Sequence, residues 1–211
     1  RRIPQLHTAI TTGQPTWDWS PKDGVGLPRE RGAQYSDDSV FSHGTLKGKR
    51  VRVVGVGNIG SRYASFAHAL GAEVSAYDPY ATEPCFHRAG AHKEHHLARL
   101  VSDAQVFAPM LPLNDSTQNV ITEDHINELP SGCLVVLVTR ANILDMNALR
   151  RRVLADEISL AADVFDHEPL PPDDLLIGRH NVVHTPHIAG RTADANFSWA
   201  QHLADQFAPI I

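Results

Sequence analysis

From position 45 onward, short apolar runs alternate with stretches in which apolar residues recur at helical spacing. The runs at 51–56, 73–77, 105–110, 134–138, 158–164 and 181–184 predict strands. A further short strand is expected near 90–92. The stretches at 61–70, 96–101, 122–129, 145–154 and 192–207 predict helices, with Thr122 as an N-cap. The 134–138 run consists of branched apolar residues, as suits a strand covered on both faces. Strands alternating with helices predict an α/β fold, a doubly wound parallel sheet. There is no internal repeat.

The first 44 residues read differently. Residues 1–12 are expected to form the end of a helix. Residues 13–44 are dense in Gly, Pro, Asp and Ser, with Trp17 and Trp19 near the start. So long a loop is uncommon inside a compact domain, which predicts an insertion or an arm. The expected organisation is thus a helix remnant at 1–12, an irregular arm at 13–44, a dinucleotide domain at 45–190 and a C-terminal helix at 191–211.

Composition narrows the function classes. The chain has 211 residues, 42% of them hydrophobic and 20% charged, enough to bury a core. A formal net charge of −5 gives no support for binding nucleic acid or an anionic membrane. No apolar run approaches a membrane span, and no secretory signal is expected at the start. Cys85 and Cys133 are the only cysteines and read as packing residues in a reducing cytoplasm. Among 13 histidines, His92, His95 and His96 cluster. A metal site is the sharper reading; a solvated helix start is favoured, because zinc ligands usually come at more regular spacing.

Gly55-Val56-Gly57-Asn58-Ile59-Gly60 is G-x-G-x-x-G between a predicted strand and a predicted helix. Gly55 permits the tight turn, Gly57 lets a pyrophosphate approach the backbone, and Gly60 lets the helix pack on the strand. The helix N-terminus then offers N–H groups and partial positive charge to phosphate. Asp78 ends the next strand, where an acidic side chain accepts the adenosine ribose hydroxyls and repels a 2′-phosphate. With Pro79 and Tyr80 after it and no Arg, NAD is expected rather than NADP.

Three more polar positions follow buried strands, at the ends where such sheets bind ligands. Arg140 could grip a carboxylate with its planar guanidinium or pair with a surface acid. Glu168 precedes Pro169 and could stand in a solvated turn. His187 lies in Thr185-Pro186-His187-Ile188-Ala189-Gly190 and could cap a helix.

Together these segments resemble the D-isomer-specific 2-hydroxyacid dehydrogenase family. Gly55 to Gly60 with Asp78-Pro79-Tyr80 is similar to its cofactor motif. Leu111-Pro112-Leu113 with Thr117 resembles its adenosine-side loop. Val138-Thr139-Arg140, leading to Asp145 and Ala148-Leu149, resembles its arginine motif. Asp163-Val164-Phe165 through Glu168-Pro169 resembles its acidic motif, and Thr185 to Gly190 its histidine motif.

The resemblance implies a Rossmann-type NAD-binding domain and hydride transfer between NAD(H) and a small D-2-hydroxy acid or 2-keto acid. It implies that His187 is the general acid, that Glu168 bonds its ring, and that Arg140 binds the substrate carboxylate. It places Asp163 against the nicotinamide carboxamide. Val138, Thr139, His187, Ala189 and Gly190 would border the cofactor with Asn58, Ile59, Leu111, Pro112 and Thr117. A homodimer is the implied assembly. Glu168 favours a 2-hydroxy acid over formate, since related formate dehydrogenases carry Gln in that role.

Some positions depart from the family pattern. Ala141 and Asn142 follow Arg140, where Gly is usual next. Leu137, Val138 and Met110 replace residues that are often polar, which predicts a more apolar nicotinamide side. The family builds a substrate domain mainly from its N-terminal part, and little precedes the helix at 1–12 here. The chain is therefore expected to bind NAD but turn over slowly alone, because closure over substrate needs a second domain. An NAD-sensing module of corepressor type, without turnover, is the alternative. A degenerate fragment that binds nothing is a third reading.

Overall fold

The computed structural model describes His7, Thr11, Thr12 and residues 45–207. His7, Thr11 and Thr12 are helical, and the Thr11 hydroxyl donates to the His7 carbonyl at 3.0 Å. The remainder of the expected helix at 1–12 and the arm at 13–44, with its two tryptophans, lie outside the described residues.

The described residues from Lys47 onward form one compact unit. Its strands are β1 (Arg50–Val54), β2 (Glu73–Tyr77), β3 (His92–Lys93), β4 (Val106–Pro109), β5 (Leu134–Leu137), β6 (Ser159–Ala162) and β7 (Val182–His184). Its helices are α1 (Asn58–Ala69), α2 (Glu83–Arg88), α3 (Leu97–Ser102), α4 (Glu123–Asn127), α5 (Met146–Leu154) and α6 (Ala193–Gln206). A 3-10 turn spans Ala141–Ile143. The strands form one parallel sheet in the order β3-β2-β1-β4-β5-β6-β7. This is the doubly wound α/β architecture. The order reverses between β1 and β4, so a crevice opens at their C-terminal ends.

The core explains the strand pattern. Val51, Val53, Phe107, Val135, Leu137 and Leu160 are essentially inaccessible in the central strands. Ile126 of α4 and Leu149 and Val153 of α5 share one core cluster with Phe107, Val135, Leu137 and Leu160. Arg52, in β1, is the exception. Its guanidinium is held by both carboxylate oxygens of Asp103 at 2.7 and 2.6 Å and by the Glu73 carbonyl at 3.0 Å. A charge can be buried there because its donors are matched to a planar acceptor.

Several boundaries move. α1 begins at Asn58, three residues before the predicted start, because the glycine turn feeds directly into it. Asp145 lies outside α5 and caps it, accepting the Ala148 N–H at 2.8 Å. Thr122 caps α4, and its own N–H reaches His125 Nδ1 at 3.2 Å. α2 is an addition. Helical apolar periodicity cannot show in six residues that begin Glu83-Pro84.

The histidine stretch is not simply a helix start. His92 lies in edge strand β3, and His96 occupies the N-cap position of α3 without a capping bond from its side chain. Between them Glu94 Oε1 accepts the N–H groups of His95 and His96 at 2.8 and 3.1 Å. Among the described residues, no group of three or more His, Cys, Asp or Glu side chains converges as metal ligands would. No described helix is long and apolar enough to cross a membrane.

Candidate functional site

The glycine turn stands at the end of β1, beside the crevice. Gly55 has φ +90°, a left-handed conformation that strains an L side chain. A Cβ there would also lie 2.8 Å from Leu111 Cδ2. A Cβ on Gly60 would lie 2.0 Å from the Gly55 carbonyl oxygen, so only glycine lets α1 approach β1 this closely. A Cβ on Gly57 would meet nothing within 4 Å. Gly57 therefore faces open space, at the N-terminus of a 12-residue helix. Asn58 and Ile59 follow it, both exposed. An open backbone at a helix N-terminus is a cradle for a phosphate group.

Asp78 is tied to this turn. Its Oδ2 accepts the Val56 N–H at 2.8 Å, and its Oδ1 accepts those of Tyr80 and Ala81 at 2.9 and 3.1 Å. The carboxylate thus shapes the turn from the end of β2, a contact that the sequence motif did not reveal. Pro79 beside it is exposed. On the other side of the crevice, the Thr117 hydroxyl donates to the Pro112 carbonyl at 2.6 Å and closes the loop after β4 that begins at Leu111. Val138 and Thr139 follow β5; the Thr139 hydroxyl donates to the Pro109 carbonyl at 3.3 Å.

The second cluster stands past the ends of β5, β6 and β7. His187 Nδ1 lies 2.6 Å from Glu168 Oε2. Glu168 Oε1 accepts the Phe165 N–H at 2.9 Å, so both carboxylate oxygens are engaged. With Nδ1 bound, Nε2 is the ring nitrogen left to face a reactant. Desolvation pushes the Glu168 carboxyl up, but the His187 ring, the Phe165 N–H and the Arg140 charge outweigh it. The net effect holds Glu168 below the usual carboxylate range, hence ionised near neutral pH. Arg140 itself is exposed, and its Nη1 donates to the Thr139 carbonyl at 2.7 Å.

Asp163 organises the histidine loop. It is 2% exposed. Its Oδ1 accepts the Thr185 hydroxyl at 2.5 Å and the Ile188 N–H at 3.0 Å, and its Oδ2 accepts the Ala189 N–H at 2.9 Å. Burial pushes its carboxyl up; these three bonds and the nearby histidine bring it below the ordinary value. The loop needs such anchors, because His187 has φ +55°, an uncommon conformation for a side-chain-bearing residue. Thr185 was not singled out from the sequence as a site residue; its motif position, two before His187, was the available signal. A cavity of about 450 Å³ adjoins the pair, lined by Phe165, Leu170, Ile177, Pro186 and Arg191 among others. Gly190 stands between the histidine loop and α6, and a Cβ there would meet nothing within 4 Å.

Residues 27–189 match the model of the D-isomer specific 2-hydroxyacid dehydrogenase NAD binding domain. The chain belongs to this family. NAD is the cofactor of the domain, and the glycine cradle with its open Gly57 fits the cofactor's pyrophosphate. Among curated relatives, a D-3-phosphoglycerate dehydrogenase of Archaeoglobus fulgidus is 29% identical over 206 residues, covering 97% of this chain and 35% of the relative. A hydroxypyruvate reductase of Thermotoga maritima is 34% identical over 154 residues, covering 71% of this chain and 49% of the relative. The chain therefore spans about a third to a half of these proteins.

Solved structures of the family share the fold. A glyoxylate reductase from Paecilomyes thermophila superposes with a TM-score of 0.75 at 23% identity, over 97% of this chain and 56% of that one. A D-lactate dehydrogenase from Aquifex aeolicus, solved with NAD and lactic acid, gives 0.72 at 21% identity, over 97% and 60%.

Proposed function

We propose that this NAD-binding domain serves an oxidoreductase that moves hydride between NAD(H) and a small D-2-hydroxy acid or its 2-keto acid. The observation that carries the reading is the Glu168–His187 pair at 2.6 Å, with Arg140 close enough to bias the Glu168 charge. When bound, the cofactor supplies the hydride; the residues of this chain supply orientation, charge and the proton.

In this reading Asp78 accepts the adenosine ribose hydroxyls and the 55–60 turn holds the pyrophosphate. Leu111, Pro112 and Thr117 flank the adenosine side. Val138, Thr139, Ala189 and Gly190 border the nicotinamide, and Asp163 accepts its carboxamide with the lone-pair capacity its loop bonds leave. Arg140 engages the substrate carboxylate with a forked guanidinium. His187 Nε2 delivers a proton to the carbonyl oxygen during reduction and takes it back in oxidation. Glu168 holds the ring in that tautomer and balances the imidazolium. A homodimer, a cytoplasmic setting and the domain limits 45–190 and 191–211 belong to the same proposal.

The test is NADH oxidation by the full-length protein with glyoxylate, hydroxypyruvate or pyruvate. Turnover with any of them supports the reading; none with any small 2-keto acid overturns it. NAD-dependent self-association without turnover would instead point to a sensing module.

A further inference from the structure

Glu168 is carried by a loop that leaves β6 and returns to β7, with little regular structure of its own. Such a segment does not hold a carboxylate at 2.6 Å from a ring nitrogen without anchors. One side chain from outside the loop grips it on both flanks. Arg150 Nη2 donates to Asp166 Oδ1 at 2.7 Å, and Nη1 reaches both oxygens of Asp174 at 3.0 Å. Asp166 lies just before Glu168 and Asp174 beyond it. Asp174 also accepts the Leu176 N–H at 2.9 Å, which fixes the far stem. The Asp174 side of the clamp is shielded, with side-chain exposures of 18% for Arg150 and 11% for Asp174, whereas Asp166 is 33% exposed. Charge-assisted bonds in that setting are stronger and less screened than at the surface.

The position of Arg150 gives these contacts their meaning. It lies on α5, whose neighbouring residues Ala148, Leu149 and Val153 are fully buried against the sheet. The same helix starts at the Asp145 cap, directly after the Arg140 segment and its 3-10 turn. One rigid helix therefore references both the arginine segment and the glutamate loop.

We infer that Arg150 is a positioning residue: by clamping Asp166 and Asp174 it sets Glu168, and through Glu168 the His187 ring, relative to Arg140. The inference rests on the acid–base roles proposed above. It predicts that the loop without its clamp still folds over the cavity, but no longer holds the carboxylate on Nδ1.

Arg150→Met and Arg150→Lys in the full-length protein test this. The Met variant loses about 10-fold or more in kcat, part of the gain expected from an oriented acid–base group. KM and NADH affinity change much less. The Lys variant, which keeps one ion pair, recovers part of the loss. In Glu168→Gln, adding Arg150→Met costs little more, since residues acting through one another are not additive. At fixed neutral pH, the imidazole Nδ1–H resonance of His187 shifts or broadens in the Met variant. Wild-type kcat with an unchanged His187 resonance overturns the inference, even if Tm falls; so does a fully additive loss in the double variant. If Arg150→Met does not fold, Arg150→Lys and Asp166→Asn carry the same readouts, and wild-type behaviour in both overturns it. If the wild-type protein reduces no 2-keto acid, the proposed function fails, and the His187 resonance alone decides the clamp.

Discussion

Asp78 reaches back from the end of β2 to accept the Val56 N–H at 2.8 Å. The residue expected to select the cofactor is therefore also a brace for the turn that receives it. The two roles separate by substitution. Asp78→Asn keeps an acceptor for Val56 but removes the charge that repels a 2′-phosphate. It should narrow the preference for NAD over NADP while leaving Tm near wild type. Asp78→Ala removes both, and should weaken NAD binding by about 10-fold or more, the scale of a lost charged hydrogen bond. Calorimetry with each cofactor measures both variants. Unchanged affinities for NAD and NADP in both would remove Asp78 from the ribose.

The glycines at 57 and 60 should behave oppositely. A Cβ on Gly60 meets the Gly55 carbonyl oxygen at 2.0 Å. Gly60→Ala should therefore destabilise the fold by about 1–3 kcal/mol, the usual cost of overpacking. Gly57 has φ −73° and open space in front of it, so Gly57→Ala should leave Tm unchanged. Its methyl group would instead stand where a pyrophosphate approaches, and NAD affinity should fall. Thermal melts with and without NAD separate the two, and equal loss of stability in both variants would contradict the packing argument.

His187→Ala should reduce kcat of the full-length protein by about 10²–10⁴-fold, the range for a general acid–base group. NADH binding should persist within a few-fold, because the glycine turn and Asp78 lie elsewhere in the sheet. Stopped-flow reduction and fluorescence titration of NADH measure the two effects. Retained turnover would displace His187 from the proton-transfer role.

Acid should unfold this domain through particular carboxylates. The Arg52 hydrogen bonds lower the Asp103 carboxyl, with burial opposing them and the charges of Arg52 and Arg50 adding to the effect. Asp163, Glu168 and Asp174 are also held low. A carboxyl lower in the folded than in the unfolded chain stabilises fully above its unfolded value, about 4. That contribution is lost as pH falls through the folded value. Tm should be flat near neutrality and drop below about pH 4. Asp103→Asn should lower the neutral Tm and flatten the acid limb. An acid limb identical to wild type would mean that Asp103 is not among the groups responsible.

Much of the site could be read along the chain because its parts are local. G-x-G-x-x-G needs only a strand before it and a helix after it, and both are legible as hydrophobic patterns. Arg140, Glu168 and His187 each follow a strand, so their placement at one sheet edge follows from a parallel fold. Contacts made across distance were not legible in pattern or spacing, and the Glu168–His187 contact was expected only through the family resemblance. Asp163 binds the N–H groups of Ile188 and Ala189, and Arg150 binds Asp174, through groups that any loop or helix position could present.

The residues alone determined the strand and helix alternation, the glycine turn, the acid that follows it and the motif residues that mark the family. These depend on local backbone conformation and on the period of burial. Tertiary structure decided the strand order and the reversal between β1 and β4, and it set at 2.6 Å the Glu168–His187 pairing that the family resemblance had implied. It also turned Asp163 toward the histidine loop and Arg150 toward the glutamate loop. Those outcomes depend on which polar groups meet once the strands have stacked, and no sequence period encodes a meeting between separate loops.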